Sequence, residues 1–365
     1  MCFDKPVFVD GVNLLVPSGL PIKERDIQRL QSWNVTEVQT EGEVVYEPSQ
    51  DESRGKQLFA LWSLPTDTSV VKAYTGATET LRGALESVKE GATVNTRTID
   101  DTVNQLFALV RDHRDEVVRL ILRAEGNEDD LARSSVNCAI LSTVVGLQLR
   151  MPSHRLIHLA TGALLHDVGM VRVPADIRKK ESNLSQDELK RLRMHPVYSY
   201  KVITKEMKYP EDIGAIVLQH HERWDGHGYP QRLSAENISI TARIVTVADA
   251  FDAMVSARPY RSPMIGYVAM KNILSDNSRR FDPQILKVFI KSMGIYPIGS
   301  IVLLNDSSIG RVVSTHPEAP LRPKLQIIID RQGKEYPRNG KVVDLSEVKS
   351  LFIARAVDPN DLVDA

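Results

Sequence analysis

The run His220-His221-Glu222-Arg223-Trp224-Asp225-Gly226-His227-Gly228-Tyr229-Pro230 sets three of the chain's nine histidines within eight residues and closes them with a Gly-Tyr-Pro turn. Adjacent imidazoles beside carboxylates and glycines sit in a core only if each ring finds a hydrogen-bond partner. As metal ligands they need no such arrangement, and neutral imidazole is the commonest ligand of all. Taken alone, the pair His220-His221 fits metal binding and surface placement equally well.

It does not stand alone. Leu164-Leu165-His166-Asp167-Val168-Gly169 ends an apolar stretch with a His-Asp pair and a helix-stopping glycine. Ile244-Val245-Thr246-Val247-Ala248-Asp249-Ala250 places one carboxylate inside an apolar run, and His195 stands between the two in Met194-His195-Pro196. Each has a plain structural reading: a helix C-terminus for His166-Asp167, an N-cap for Asp249, a surface position before proline for His195. Together they give three histidine sites and two aspartates where apolar patterning predicts at least partial burial. Carboxylate with imidazole suits iron, manganese, zinc or nickel, as one ion or two, and does not suit calcium.

Helical spacing predicts the elements that would hold these residues: 131–149, 155–166, 185–194, 198–207, 213–221, 241–254, 265–275 and 283–293. Ser185 with Glu188 reads as a capping box. A helical bundle collects ligands from several facing helices into one core site, which this set requires. Ile99 to Arg123 reads as a long amphipathic helix whose apolar face serves the core or a homodimer. Residues 1–95 mix short apolar alternation with a helix from Lys23 to Trp33 and a polar loop from Glu47 to Gly55. The last seventy residues change to short β runs at 301–304, 310–313, 325–329 and 341–345, separated by turns. They lack the paired arginine motif of a PilZ-like sensor and read as a structural appendage. The expectation is α+β overall: a mixed N-terminal domain over 1–95, a connecting helix over 96–125, an all-α bundle over 126–295 and a β-rich appendage over 296–365.

At 365 residues and 42% hydrophobic content the chain can build a sizeable core in two or three domains. A net charge of −1 and a pI near 6.8 argue against binding DNA or an anionic membrane surface. Two cysteines, Cys2 and Cys138, give no disulfide framework and fit a reducing cytoplasm. Neither a signal peptide nor a membrane span is read from the sequence.

In this order and at these separations the motifs resemble the HD-GYP family, a branch of the HD metal-dependent phosphohydrolases, from about Asn127 to Gly294. Supporting matches are Ile238-Ser239-Ile240-Thr241-Ala242-Arg243-Ile244, Arg258-Pro259-Tyr260-Arg261 and Phe281-Asp282-Pro283. The resemblance implies an HD-type bundle and a phosphodiesterase that hydrolyses cyclic di-GMP, a bacterial second messenger, to pGpG or GMP. It implies that Asp167 bridges two ions and, with Asp249, serves the catalysis. One ion would take His195, His220 and His221; the other would take His166, Asp249 and a histidine of the preceding helix. Arg258 and Arg261 would clamp phosphate through their planar forks, a solvated surface role being the alternative. Tyr229 would shape the substrate mouth, or with Gly228 and Pro230 offer a surface to signalling proteins, a role also open to residues 1–95.

Two departures qualify the resemblance. The position of the preceding-helix histidine is Ser134, and a serine hydroxyl is a poor ligand at neutral pH. Asp130, one turn earlier, could stand in as a ligand or be an ordinary first-turn acid. The lysine that commonly follows the His-Asp-x-Gly motif is Met170, which removes a cation near the scissile phosphate. The alternative to an enzyme is therefore a degenerate module that holds a metal or cyclic di-GMP with little or no hydrolysis.

Overall fold

The computed structural model describes residues 67–122, 130–178, 182–256, 264–276, 279–336 and 340–357, with the stretches 2–5, 7–9, 14–16 and 35–45 and the single residues 22, 27, 30 and 180. Apart from Ile27 and Leu30, the helix expected at Lys23–Trp33 lies outside the described residues, as do the loop at Glu47–Gly55 and the pair Arg258 and Arg261. The chain divides into two compact units, Thr66–Ile295 and, together, Met1–Pro65 with Tyr296–Ala365.

The first unit is helical. α1 (Thr68–Glu90) starts at Asp67, whose carboxylate accepts from the Ser69 amide at 2.7 Å. α2 (Thr96–Leu122) follows, broken at His113, where φ −132° and ψ 34° leave the helical region. α3 (Leu131–Gln148) is buried on nearly every side from Ser135 to Gly146, the signature of a helix inside a bundle rather than on its surface. α4 (Ser153–Leu165), α5 (Ala175–Arg178), α6 (Gln186–Leu192), α7 (His195–Lys201), α8 (Glu211–Gln219), α9 (Ile240–Val255), α10 (Gly266–Ser275) and α11 (Pro283–Met293) complete it. Ser185 and Glu188 form the expected capping box on α6. The helix expected over 198–207 begins earlier, at His195, and ends in a π-helical turn over Val202–Glu206.

α1 belongs to this helical unit, whereas the sequence reading grouped residues 68–90 with the N-terminal segment. Its buried face is Val70, Tyr74, Ala77, Leu81, Ala84, Leu85 and Val88. Small alanines and a tyrosine give that stripe a weak apolar signal, although its spacing is helical. In α2 the side chains of Ile99, Val103, Leu106, Val110, Val117 and Ile121 are all at most 2% exposed. That face is used in the bundle core and is not free to receive a second copy of the chain. α3 and α9 form the centre of the core, with Phe251 meeting Phe289 of α11 edge to face at 5.3 Å.

The second unit carries β structure. β1 (Cys2–Phe3) pairs with β5 (Val44–Val45), and β2 (Val7–Phe8) lies between β3 (Leu14–Val16) and β4 (Gln39–Thr40). β6 (Ile301–Leu304), β7 (Ile309–Ser314), β8 (Lys324–Ile329), β9 (Val342–Asp344) and β10 (Ile353–Val357) make an antiparallel five-stranded sheet in the order β10-β6-β7-β8-β9. Ile301, Leu303, Ile309, Ile328 and Val357 form its core. Four of these strands match the expected β runs; β10 is an addition. No described helix is long and apolar enough to cross a membrane.

Candidate metal centre

Three helix ends and one helix interior converge on a single point. His166 caps the C-terminus of α4 and Asp167 follows it, before a 3-10 turn over Val168–Arg172. His195 is the first residue of α7, His220 caps the C-terminus of α8 with His221 next, and Asp249 projects from within α9. Local chemistry locks these pieces together. A Cβ on Gly169 would lie 2.3 Å from the Ser199 amide and 2.4 Å from the His195 carbonyl, so only glycine lets the turn after Asp167 lie against α7. The Gly169 amide then donates to Ser199 Oγ at 2.9 Å. Thr246 of α9 donates to the His220 carbonyl at 2.8 Å, fixing the end of α8 to the helix that carries Asp249.

Asp167, His195, His220 and His221 bring one ligand atom each to within 4.8 Å of one another. His166, His195 and His220 are at most 3% exposed. In each of them Nδ1 faces a carbonyl of its own chain segment: Ala163 at 2.7 Å, Leu192 at 2.8 Å and Val217 at 2.8 Å. A carbonyl can only accept, so the proton sits on Nδ1. Nε2 of His195 and His220 therefore turns an acceptor lone pair inward. These two atoms face each other at 3.4 Å, and Asp167 Oδ1 lies 3.1 Å from the first and 3.6 Å from the second. Converging lone pairs of this kind repel unless a cation stands among them.

The buried polar atoms point to the same conclusion. Asp167 Oδ1 and His166 Nε2 are both enclosed without a hydrogen-bond partner. His166 Nε2 lies 3.4 Å from Asp167 Oδ2 and 3.7 Å from Asp249 Oδ1, in hydrogen-bond geometry with neither. Buried nitrogen and carboxylate atoms that converge without hydrogen-bond partners are the donors a transition-metal ion takes. The donor set fits a divalent ion.

Charge states follow from burial and neighbours. Burial pushes the pKa of His220 down, and it pushes that of His221 well down with help from the nearby His220 and His195, so both rings are neutral at pH 7. For Asp167 burial works upward, but His166 and His195 outweigh it and hold the carboxyl well below the carboxylate range. Asp249 is lowered in the same way, against burial, by His166 first and His221 next. His166, between the two carboxylates, is raised well above the usual histidine value despite burial, chiefly by Asp167.

Tyr229 stacks beside the cluster, its ring 4.8 Å from that of His221 and 6.3 Å from that of His195. Glu222, only 1% exposed, accepts from the Gln231 amide at 2.6 Å and the Leu233 amide at 3.1 Å, and so holds the loop that carries Tyr229. A Cβ on Gly228 would fall 2.4 Å from the Arg223 amide, which accounts for glycine in that turn.

Asp130 is placed as the N-cap of α3, accepting from the Arg133 amide, and it pairs with Arg82 at 2.7 Å. Ser134 donates to Asp252 Oδ2 at 2.5 Å, and Asn137 donates to Oδ1 of the same carboxylate at 2.7 Å. Asp252 and Glu222 are the residues near the site that sequence reasoning passed over. An acid three residues past Asp249 inside an apolar helix was the available signal for the first.

A family model described as HD domain matches residues 94–285, more than half of the chain. A second, described as a KOW domain associated with HD domain, matches 301–365. Cyclic di-GMP phosphodiesterase PA4108 of Pseudomonas aeruginosa is 31% identical over 261 residues, covering 72% of this chain and 62% of that protein. Cyclic di-GMP phosphodiesterase PdeB of Borreliella burgdorferi is 32% identical over 217 residues, covering 60% and 55%. The cyclic di-GMP phosphodiesterase response regulator RpfG of Xanthomonas campestris is 32% identical over 213 residues, covering 58% and 55%. The chain thus spans between half and two thirds of the length of these curated relatives. Among solved structures, Bd1817, an HDG"Y"P protein from Bdellovibrio bacteriovorus, matches with a TM-score of 0.49 and 16% identity over 79% of this chain and 94% of that one.

Proposed function

We proceed from the premise that this chain belongs to the HD domain family, in its HD-GYP branch, and we propose that it is a metal-dependent phosphodiesterase that hydrolyses cyclic di-GMP to pGpG or GMP. The observation that carries the reading is the inward convergence of Asp167, His195, His220 and His221 around orphaned donor atoms. The relatives named as cyclic di-GMP phosphodiesterases support the substrate. Since cyclic di-GMP is a bacterial second messenger, the setting proposed is the cytoplasm.

Asp167, His195, His220 and His221 would hold one ion, and His166 and Asp249, sharing Asp167, would hold another. Iron or manganese suits this donor set best, with zinc and nickel as alternatives. Such an ion, when bound, lowers the pKa of water and neutralises charge on the phosphoryl group in its transition state. The chain's own residues do the rest. The Nδ1–H bonds to Ala163, Leu192 and Val217 fix each ring's tautomer and aim. The ionised Asp167 and Asp249 supply the negative charge that holds a cation in a site burial would otherwise disfavour. Glu222 keeps the loop bearing Tyr229 closed beside the centre. Arg258 and Arg261 remain proposed phosphate ligands.

The experiment is to load the purified chain with Mn²⁺ or Fe²⁺, incubate it with cyclic di-GMP, and compare it with His220→Ala. The expected result is pGpG or GMP from the wild type and none from the variant. A second reading, a receptor that binds without turnover, draws on Ser134 being tied to Asp252. Nucleotide binding with no product at any metal loading would establish it in place of the first.

A further inference from the structure

Around the loop that carries Tyr229, acids neutralise two arginines. Arg223 pairs with Asp225 through two bonds of 3.0 and 2.7 Å, and Arg243 pairs with the buried Asp282 at 2.6 Å. Arg193 and Arg280 form no ion pair with any described residue. Each instead lies against an aromatic face: Arg193 at 5.3 Å over Tyr229, Arg280 at 5.2 Å over Phe281. A guanidinium laid on a ring keeps its planar fork of N–H donors available.

Their placement is set by rigid neighbours. Arg193 is the C-cap residue of α6, two residues before His195. Its guanidinium lies over the Tyr229 ring, and that ring packs against His221 at 4.8 Å. Arg280 is held through its backbone: its carbonyl accepts from the Trp224 amide at 3.0 Å, and the Arg279 carbonyl accepts from the Asp225 amide at 2.9 Å. Both fields reach the Tyr229 hydroxyl, where they oppose the upward push of burial, Asp167 and Asp249.

A cyclic dinucleotide carries two phosphodiesters on one small ring. With one over Asp167 and the histidines, the other must lie a short way out along the rim. We propose that Arg193, over the Tyr229 ring, and Arg280, tied through its backbone to Trp224, bind that second, non-reacting phosphodiester. The proposal rests on the cyclic di-GMP reading and deepens it.

The test uses the full chain loaded with Mn²⁺, as wild type, Arg193→Gln and Arg280→Gln. Affinity for the hydrolysis-resistant bisphosphorothioate analogue of cyclic di-GMP should fall about tenfold in each variant, as loss of a charged hydrogen bond does. KM for cyclic di-GMP should rise by a similar factor with kcat little changed. Turnover of bis(p-nitrophenyl) phosphate, which has a single phosphate, should stay at the wild-type level. Unchanged analogue affinity in both variants, or an equal loss toward the one-phosphate diester, overturns the proposal. Wild-type protein that binds the analogue in an arginine-dependent way without turning over cyclic di-GMP overturns the hydrolase reading and leaves this clamp standing. Wild-type protein that does neither overturns both.

Discussion

The hydroxyl of Ser134 on α3 donates to the carboxylate of Asp252 on α9 at 2.5 Å, inside a core where Asp252 is 0% exposed. Asn137 and Ser256 donate to the other oxygen, and Tyr74 of α1 donates to Asn137, so one acid joins three helices. The helix position where HD-GYP chains commonly offer a histidine to metal here serves a buried polar network. Ser134→Ala should therefore cost about 1–3 kcal/mol of stability, the range for a buried acceptor losing a donor. Metals per chain, counted by elemental analysis, should not change. A drop in metal content without a drop in stability would make Ser134 a ligand after all.

His166 sets the pH behaviour of metal uptake. Without metal its pKa is raised, so it carries a proton at neutral pH, while His220 and His221 are lowered and carry none. Loading the site must expel the His166 proton and nothing from the other two. Apparent metal affinity should therefore increase with pH below the raised His166 value, by about tenfold per unit for one proton, and level off above it. Calorimetric titration with Mn²⁺ in buffers of different ionisation heat should give close to one proton released at pH 7. Zero release, or the same release from His166→Asn, would contradict the assignment.

Much of this centre was legible because its ligands come in adjacent pairs at helix ends. His166-Asp167 and His220-His221 announce themselves by type, and apolar runs on their N-terminal side give the helices that end there. Asp249 was legible as the one carboxylate in the apolar run Ile244–Ala250. His195 reads singly as a surface residue before proline, yet it is 3% exposed, because burial of a lone histidine depends on what packs over it. α1 was missed because alanines, threonine and tyrosine line its buried face, and β10 because Ile353-Ala354-Arg355-Ala356-Val357 alternates only weakly and is defined by pairing with β6. No pattern along a chain separates Arg193 from Arg243, whose acid, Asp282, is remote in sequence. The difference is whether an acid stands opposite, which only the fold decides.

Asp130 is a sharper case of the same ambiguity. Its carboxylate accepts from the Arg133 amide and meets Arg82 at 2.7 Å, which accounts for it as the N-cap of α3. Asparagine caps as well as aspartate, and a part-exposed ion pair contributes little, so Asp130→Asn should shift stability by less than about 1 kcal/mol. Its metal content should equal that of the wild type. Loss of an ion from Asp130→Asn would instead place this carboxylate among the ligands.

Glu222 tests whether the Gly-Tyr-Pro loop is held or merely adjacent. Its two oxygens receive the Gln231 amide at 2.6 Å and the Leu233 amide at 3.1 Å, closing a span that includes Tyr229. Glutamine in its place keeps one acceptor and turns an N–H donor toward the other amide. Two donors then face each other in a buried site, which should cost about 1–3 kcal/mol. The histidines stand on helices fixed by Gly169 and Thr246, so metal content should persist in Glu222→Gln. The loop should open more often, and limited proteolysis between residues 226 and 233 should run faster than in the wild type. Equal protection of that loop in the variant would mean that packing on His221, not the Glu222 carboxylate, keeps Tyr229 beside the centre.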